Sequence, residues 1–285
     1  MIESDKNFEP DDNNTKISRE KIKIQYIWYI SCFLCIYIGS FLIPGIILLA
    51  FLIFLFIPNI LLAPTLYSLW FELHSLITFI LWPLVIIGCY IIHLVFLGLV
   101  TRWIWRLSEK ISPTEDGIIP RNVNSRRLNM YHIRFFIIKY GKNAFSKGPF
   151  PWLSNWFFNS VGASIIGKGT VIEETTTADR NLEIGKDSYF GVNSVLTSHL
   201  VEGIFGNVNQ FRIKIGDNVT AGGWNCFGPG TIINSDSYLL PSASGGKHFL
   251  IKGKSYYFGQ PLKKIFKRNI NDYLNISQED LKKND

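Results

Sequence analysis

The sequence predicts N-terminal transmembrane α-helices followed by an all-β parallel β-helix. Two observations carry this: long apolar runs before residue 108, and an apolar residue at every sixth position through much of 161–245. From Ile166 the chain reads in sixes as IGKGTV, IEETTT, ADRNLE, IGKDSY, FGVNSV and LTSHLV; from Ile215 it reads IGDNVT, AGGWNC, FGPGTI, INSDSY and LLPSAS. A period of six suits neither an amphipathic helix, at about 3.6 residues per turn, nor a two-faced strand, at about 2. It suits hexapeptide repeats, in which short strands stack as coils and each turn buries one side chain.

Within each hexad, glycine recurs second, at Gly167, Gly185, Gly191, Gly216, Gly222 and Gly228, where a tight corner favours a residue without a Cβ. The fifth place is short or polar at Thr170, Thr176, Ser188, Ser194, Asn225, Thr231 and Ser237, and Leu182, Leu200 and Val219 break that rule. Register is lost between Val201 and Ile215, so EGIFGNVNQF (residues 202–211) must leave the coil as a loop.

Ahead of the repeats, residues 1–23 form a polar tail, acidic at first, then basic at Lys16, Arg19, Lys21 and Lys23. Such a composition buries too little to order itself. Residues 24–107 hold the membrane segment. The run Ile24–Ile57 carries no charge and exceeds the roughly 20 residues of one span, so it is one long helix kinked at Pro44 or two short ones turning at Pro44-Gly45. It is too long for a cleaved signal peptide. A second run, Leu76–Trp105, lacks charge until Arg102 and ends with Trp103 and Trp105 interleaved with Arg102 and Arg106, as in an interfacial anchor. Both outer flanks are basic and the connection near 58–75 is not. The excess of positive charge on cytoplasmic loops then gives two spans, with three as the alternative, and both ends in the cytoplasm.

Residues 108–160 form a junction lying against the membrane and covering the first coil. Whether Tyr131–Tyr140 is strand or interfacial helix, its periodicity does not decide. The repeat domain occupies 161–262, and 263–285 is a polar, Lys-rich tail.

Of 285 residues, 29 are Lys or Arg against 22 Asp or Glu, a formal charge of +7. The basic residues are scattered and no aromatic-rich recognition module accompanies them, which argues against nucleic acid. The 4 cysteines have no metal-ligand spacing and no disulfide framework, in keeping with a reducing compartment. A zinc site of the kind built on related repeats needs several converging histidines. Only His199 and His248 fall in or after the repeats, so no metal is expected.

His199 is the most informative polar residue. It is fourth in LTSHLV, with Leu196 and Leu200 taken as inward, so its imidazole should face outward beside the projecting loop. An imidazole with an ordinary pKa near 6.5 accepts a proton at neutral pH. Glu202 would orient that ring or remain a solvated loop carboxylate. Trp224, fourth in its hexad, would also face outward, to stack on a ligand or to pack between subunits. His248 reads as a surface residue.

These stretches carry a resemblance. NSVGASIIGKG (159–169), LTSHLVEG (196–203), IKIGDNVTAGG (213–223), FGPGTII (227–233) and the exit YFGQPLKK (257–264) resemble the hexapeptide-repeat acyltransferase superfamily. Within it the chain is most similar to the membrane-attached acyltransferase-like modules at the C-terminus of some nonribosomal peptide synthetases. The resemblance implies a left-handed parallel β-helix and a homotrimer with active sites between neighbouring β-helices. It also implies direct transfer of an acyl group from acetyl-CoA or another acyl-CoA, with His199 deprotonating a hydroxyl or amine. By the same resemblance, backbone and side chains around Gly222, Gly223, Ser242, Ser244, Gly259 and Lys263 would hold the CoA. The departures are in the last hexads, which lack the usual glycines, and at Leu262, where the family closes Pro-Ala. The sequence therefore predicts an integral membrane acyltransferase, with its β-helix in the cytoplasm. Its acceptor would be a small molecule or a lipid-linked glycan. The competing expectation is a trimeric membrane scaffold that keeps the fold without the chemistry.

Overall fold

The computed structural model describes residues 26–121, 123, 125–173, 177–178, 180–203 and 206–265. The N-terminal tail to residue 25 and the C-terminal segment from residue 266 lie outside the described residues.

Helix α1 (Tyr26–Phe51) continues through Pro44 and loosens into wider turns over Leu52–Leu61 rather than doubling back. A short α2 (Leu66–Phe71) follows, started by Thr65 and Ser68, whose hydroxyls accept each other's backbone N–H. Helix α3 (Leu73–Ile111) then returns alongside α1. Two helices, Tyr26–Leu61 and Leu73–Ile111, are thus long and apolar enough to cross a membrane. Their outer surfaces stay apolar and uncovered at Ile27, Phe54, Ile80 and Trp103. Polar atoms turn inward between them. Asn59 Nδ2 donates to Thr78 Oγ1 at 3.1 Å, Ser75 Oγ to the Asn59 carbonyl at 2.9 Å, and His93 Nδ1 lies 3.3 Å from the Ser40 carbonyl. Side chains that cannot bond to hydrocarbon must find such partners.

At 1.5 Å per residue α3 is about 58 Å long, well beyond the ~30 Å of hydrocarbon it would cross. The remainder is clad by α4 (Arg126–Ser146), capped by Ser125 Oγ on the Leu128 N–H. Segment 131–140, undecided from periodicity, is helix. Phe136 stacks on Tyr29 at 4.5 Å, Tyr140 Oη reaches His93 Nε2 at 3.2 Å, and Arg134 bonds the Ser108 hydroxyl and carbonyl while pairing with Glu109 at 3.0 Å. Helix α5 (Ser154–Val161) ends at Gly162, whose φ of 84° suits only glycine comfortably. It seats Phe157, Phe158 and Val161 over the first coil, and Asn159 exchanges two bonds with Ile166, at 2.8 and 2.7 Å.

Beyond α5 the chain passes in rotation among three parallel sheets. The first face runs through Ile165–Ile166, Leu182–Ile184, Ile213–Ile215, Ile232–Ile233 and Leu250–Ile251. Pairing on it aligns Ile166, Ile184, Ile215, Ile233 and Ile251 in one inward ladder. The second face aligns Ile172, Phe190, Ala221, Leu239 and Tyr257, and the third Ala178, Leu196, Phe227 and Gly245. Every register residue of the hexads stands on one of these ladders. Phe190, Leu196, Ala221, Phe227 and Leu239 are fully buried.

The fifth places staple one coil to the next. Thr170 Oγ1 donates to the Gly185 carbonyl at 2.7 Å, and Asn225 Nδ2 to the Leu240 and Ala243 carbonyls at 2.8 and 3.0 Å. Leu182 and Val219 are buried apolar substitutes at the same place. Leu200 is a correction: it is 40% exposed, not inward, because the coil has already ended at Leu196. Glycine at the second place is needed where coils touch: a Cβ on Gly167 or Gly185 would run into the backbone or Asp217 of the next corner.

Candidate functional site

The phase break is a hairpin. Strands His199–Glu202 and Asn207–Gln210 pair antiparallel, and Gly117–Pro120 from the junction adds as a third strand on Asn207–Gln210. The hairpin leaves the corner between the third and first faces, so His199 stands at that corner, one residue beyond the coil. The imidazole is half-buried against α4, T-shaped to Tyr131 at 5.7 Å and to Phe135 at 6.4 Å between ring centres. Arg180, one coil earlier on the same corner, stacks its guanidinium over Tyr131 at 4.6 Å and gives Nη1 to the Tyr131 carbonyl at 3.1 Å. Ser198 Oγ donates to the Arg180 carbonyl at 2.8 Å, tying the two levels together.

Glu202 is engaged elsewhere. Residues 199 and 202 are an odd number apart in one strand, so their side chains leave opposite faces. The Glu202 carboxylate accepts from Asn209 Nδ2 at 2.5 Å and from Lys247 Nζ. Those two hydrogen bonds hold its carboxyl below the usual carboxylate range. Its role here is to pin the hairpin to the corner after Ser244–Gly245, where His248 also meets the Phe211 ring at 4.4 Å.

The residues expected at the donor site gather on another corner, between the second and third faces. The Gly223 carbonyl accepts from Ser242 N at 3.0 Å, and the Gly259 carbonyl from Ser244 N at 3.1 Å. Ser244 Oγ accepts from Gln260 Nε2 at 2.6 Å and from the Cys226 N–H at 3.2 Å. Gly222 packs within the same corner, where a Cβ would press on Pro241. Lys263 lies exposed in the strand Lys263–Ile265, opposite Phe258. One chain therefore brings Gly222, Gly223, Ser242, Ser244 and Gly259 together but sets them at a different corner from His199. A groove of about 650 Å³ on the second face is lined by Asn218, Tyr238, Lys254, Tyr256 and Lys264, with none of the expected residues among them. Among the described residues no group of His, Cys, Asp and Glu is placed to hold a metal ion.

Trp224 stands out at this corner of Gly222, Gly223 and Ser242. It is 64% exposed and has φ of 54°, a left-handed conformation that a bulky residue adopts only under strain. The equivalent corner residues Asn193 and Ser242 share that conformation with less to clash. Trp224→Asn should therefore raise the melting free energy by about 0.5–1 kcal/mol, read by thermal denaturation. A loss of stability instead would mean that the indole packs on something in the assembled protein.

Tyr131, Phe135 and Arg180 had not been singled out from the sequence. For Arg180 a signal exists: three hexads separate it from Ser198, so the register itself stacks it beside His199. Tyr131 and Phe135 reach the site through the tertiary placement of α4, which no local pattern encodes.

No protein-family profile and no curated protein matches the chain. Among solved structures it is similar to a hexapeptide-repeat containing acetyltransferase of Vibrio cholerae O1 biovar eltor complexed with acetyl coenzyme A: 12% identity, 44% of this chain, 81% of that one, TM-score 0.34. It is also similar to a maltose O-acetyltransferase from Clostridium difficile 630, at 14% identity, 59% of this chain, 87% of that one and TM-score 0.26. A third is an N-acyltransferase from Bacillus cereus in complex with dTDP and 3-hydroxybutyryl-CoA, at 15% identity, 40% of this chain, 79% of that one and TM-score 0.29. At such identities and scores these likenesses assign neither family nor activity to the chain.

Proposed function

We propose that the protein is a membrane-anchored acyltransferase that moves an acyl group, most simply acetyl, from acyl-CoA to a hydroxyl or amine. The observation that carries this is the hexad coil interrupted by a hairpin that starts with His199 at a coil corner. His199 takes the proton of the acceptor hydroxyl, whose oxygen attacks the thioester carbonyl. The new C–O bond forms, the C–S bond breaks, and the CoA thiolate leaves with that proton. The coil is left-handed in this reading, and three copies assemble so that the donor corner of one, with Gly222, Gly223, Ser242, Ser244, Gly259 and Lys263, faces His199 of the next. Separation of the two corners within one chain supports this. The paired helices hold the enzyme in the bilayer with the coil on the cytoplasmic side, where a lipid-linked glycan or similar acceptor is already concentrated.

One observation favours the scaffold alternative: the His199 ring is packed on Tyr131 and Phe135 rather than left open. Calorimetric titration of the detergent-purified protein with acetyl-CoA separates the two. An enzyme should bind it and slowly release free thiol, whereas absence of binding would transfer the proposal to the scaffold.

A further inference from the structure

The face of α4 beside His199 carries a second cluster, which acyl transfer as described leaves unused. His132 follows Tyr131 on α4, and its ring stands 5.1 Å from Tyr131 and 6.5 Å from Tyr29, near the start of α1. Arg180, 4% exposed, spans Tyr131 and Phe135, the two rings that also hold His199. Arg121 follows the strand Gly117–Pro120, and its backbone N–H bonds the Gly206 carbonyl at the hairpin turn, 2.6 Å away. Three chain segments thus converge at the level where the helix pair meets the coil.

Two atoms in this cluster are left over. Arg121 Nε and His132 Nε2 are both buried and, among the described residues, neither has a hydrogen-bond partner. Burial first, and then the charges of Arg121 and Arg180, hold His132 below the ordinary imidazole value. Buried polar atoms are nearly always partnered, and exceptions point to an absent ion or ligand. Guanidinium groups match phosphate oxygens in geometry as well as charge. Basic pockets beside spanning helices take anionic headgroups.

We propose that Arg121, His132 and Arg180 bind a phosphate group, carried on a membrane lipid, next to His199. On the acyl-transfer reading, on which this consequence alone rests, the acceptor is then a phosphate-bearing lipid whose hydroxyl or amine lies within reach of the imidazole. Binding itself needs no catalysis, and so fails or survives separately.

Native mass spectrometry of the detergent-solubilised full chain, incubated with phosphatidate, phosphatidylcholine or inorganic pyrophosphate, is the test. The wild type should retain phosphatidate over phosphatidylcholine, with pyrophosphate competing. Arg121→Gln and His132→Gln should each weaken that retention about tenfold, the size of one charge-assisted hydrogen bond. Lys110→Gln, the same charge change as Arg121→Gln but at an exposed site on α3, should not. Pyrophosphate binding without phosphatidate binding supports the phosphate site and assigns it a soluble ligand. Equal phosphatidate retention by wild type and both glutamine variants, or no binding of either phosphate compound, overturns the proposal. Should Arg121→Gln not fold, His132→Gln decides. Thiol release from acetyl-CoA is not read in this experiment, so a negative result leaves the role of His199 to its own variant.

Discussion

Replacing His199 with alanine should lower acyl-transfer turnover by about 10²–10⁴-fold, the contribution of one positioned general base. Acetyl-CoA binding should stay close to wild type, because the residues proposed to hold the CoA, around Gly223, Ser242 and Gly259, do not include the imidazole. Stability should fall only modestly. The ring makes two edge-on aromatic contacts, to Tyr131 and Phe135, and such contacts contribute about 0.5–1.5 kcal/mol each beyond area burial. Steady-state thiol release, measured beside a melting curve, checks both halves. Unchanged turnover in a folded His199→Ala protein would remove the histidine from the mechanism and move weight to the scaffold reading. A collapse in melting temperature would instead make the residue a packing element of the α4 junction.

The largest stability effect should come from Phe227→Ala, at about 3–5 kcal/mol. Phe227 is fully buried on the third face, between Leu196 below and Gly245 above. Gly245 brings no side chain to the axis, and the Phe249 ring packs where its Cβ would stand. Truncating Phe227 therefore opens a void at the centre of the third face. Phe227→Leu keeps most of the volume and should lose less than half as much. Because each coil touches only the coils beside it, the damage should be local at first. Hydrogen exchange should quicken in the coils of residues 213–251 before it does in α3. Uniform quickening across the chain would show that helices and coil melt as one unit.

What could be read in the sequence divides along physical lines. The coil was legible because its burial repeats with the spacing of its corners, so Ile166, Ile184, Ile215, Ile233 and Ile251 announce their ladder before any contact is known. The break before Ile215 marked where the hairpin leaves. Leu200 was misassigned because the apolar register was carried one strand too far, into a hairpin obeying a period of two. Helix α4 hid itself differently. It is buried on more than one side and includes Arg134, whose charge is met by Glu109 and by Ser108, so no apolar stripe is left to see. The surroundings of His199 depend on that helix and were out of reach for the same reason. Glu202 was placed beside His199 by closeness in sequence, whereas strand geometry sends it to Lys247.

The last strand among the described residues, Lys263–Ile265, runs antiparallel on Ser255–Phe258, against the direction of every other pairing on the second face. A stack of parallel coils is in principle endless, since its final rung offers the same row of amides and carbonyls as each rung before it. Turning the chain back on itself occupies that row with a strand of the wrong polarity and two lysines. A second molecule arriving end-on meets charge and a reversed hydrogen-bond pattern on this face, so the coil is discouraged from growing into a fibre. Deleting residues 263–265 would remove that stop, and self-association by elongation is the hazard it guards against.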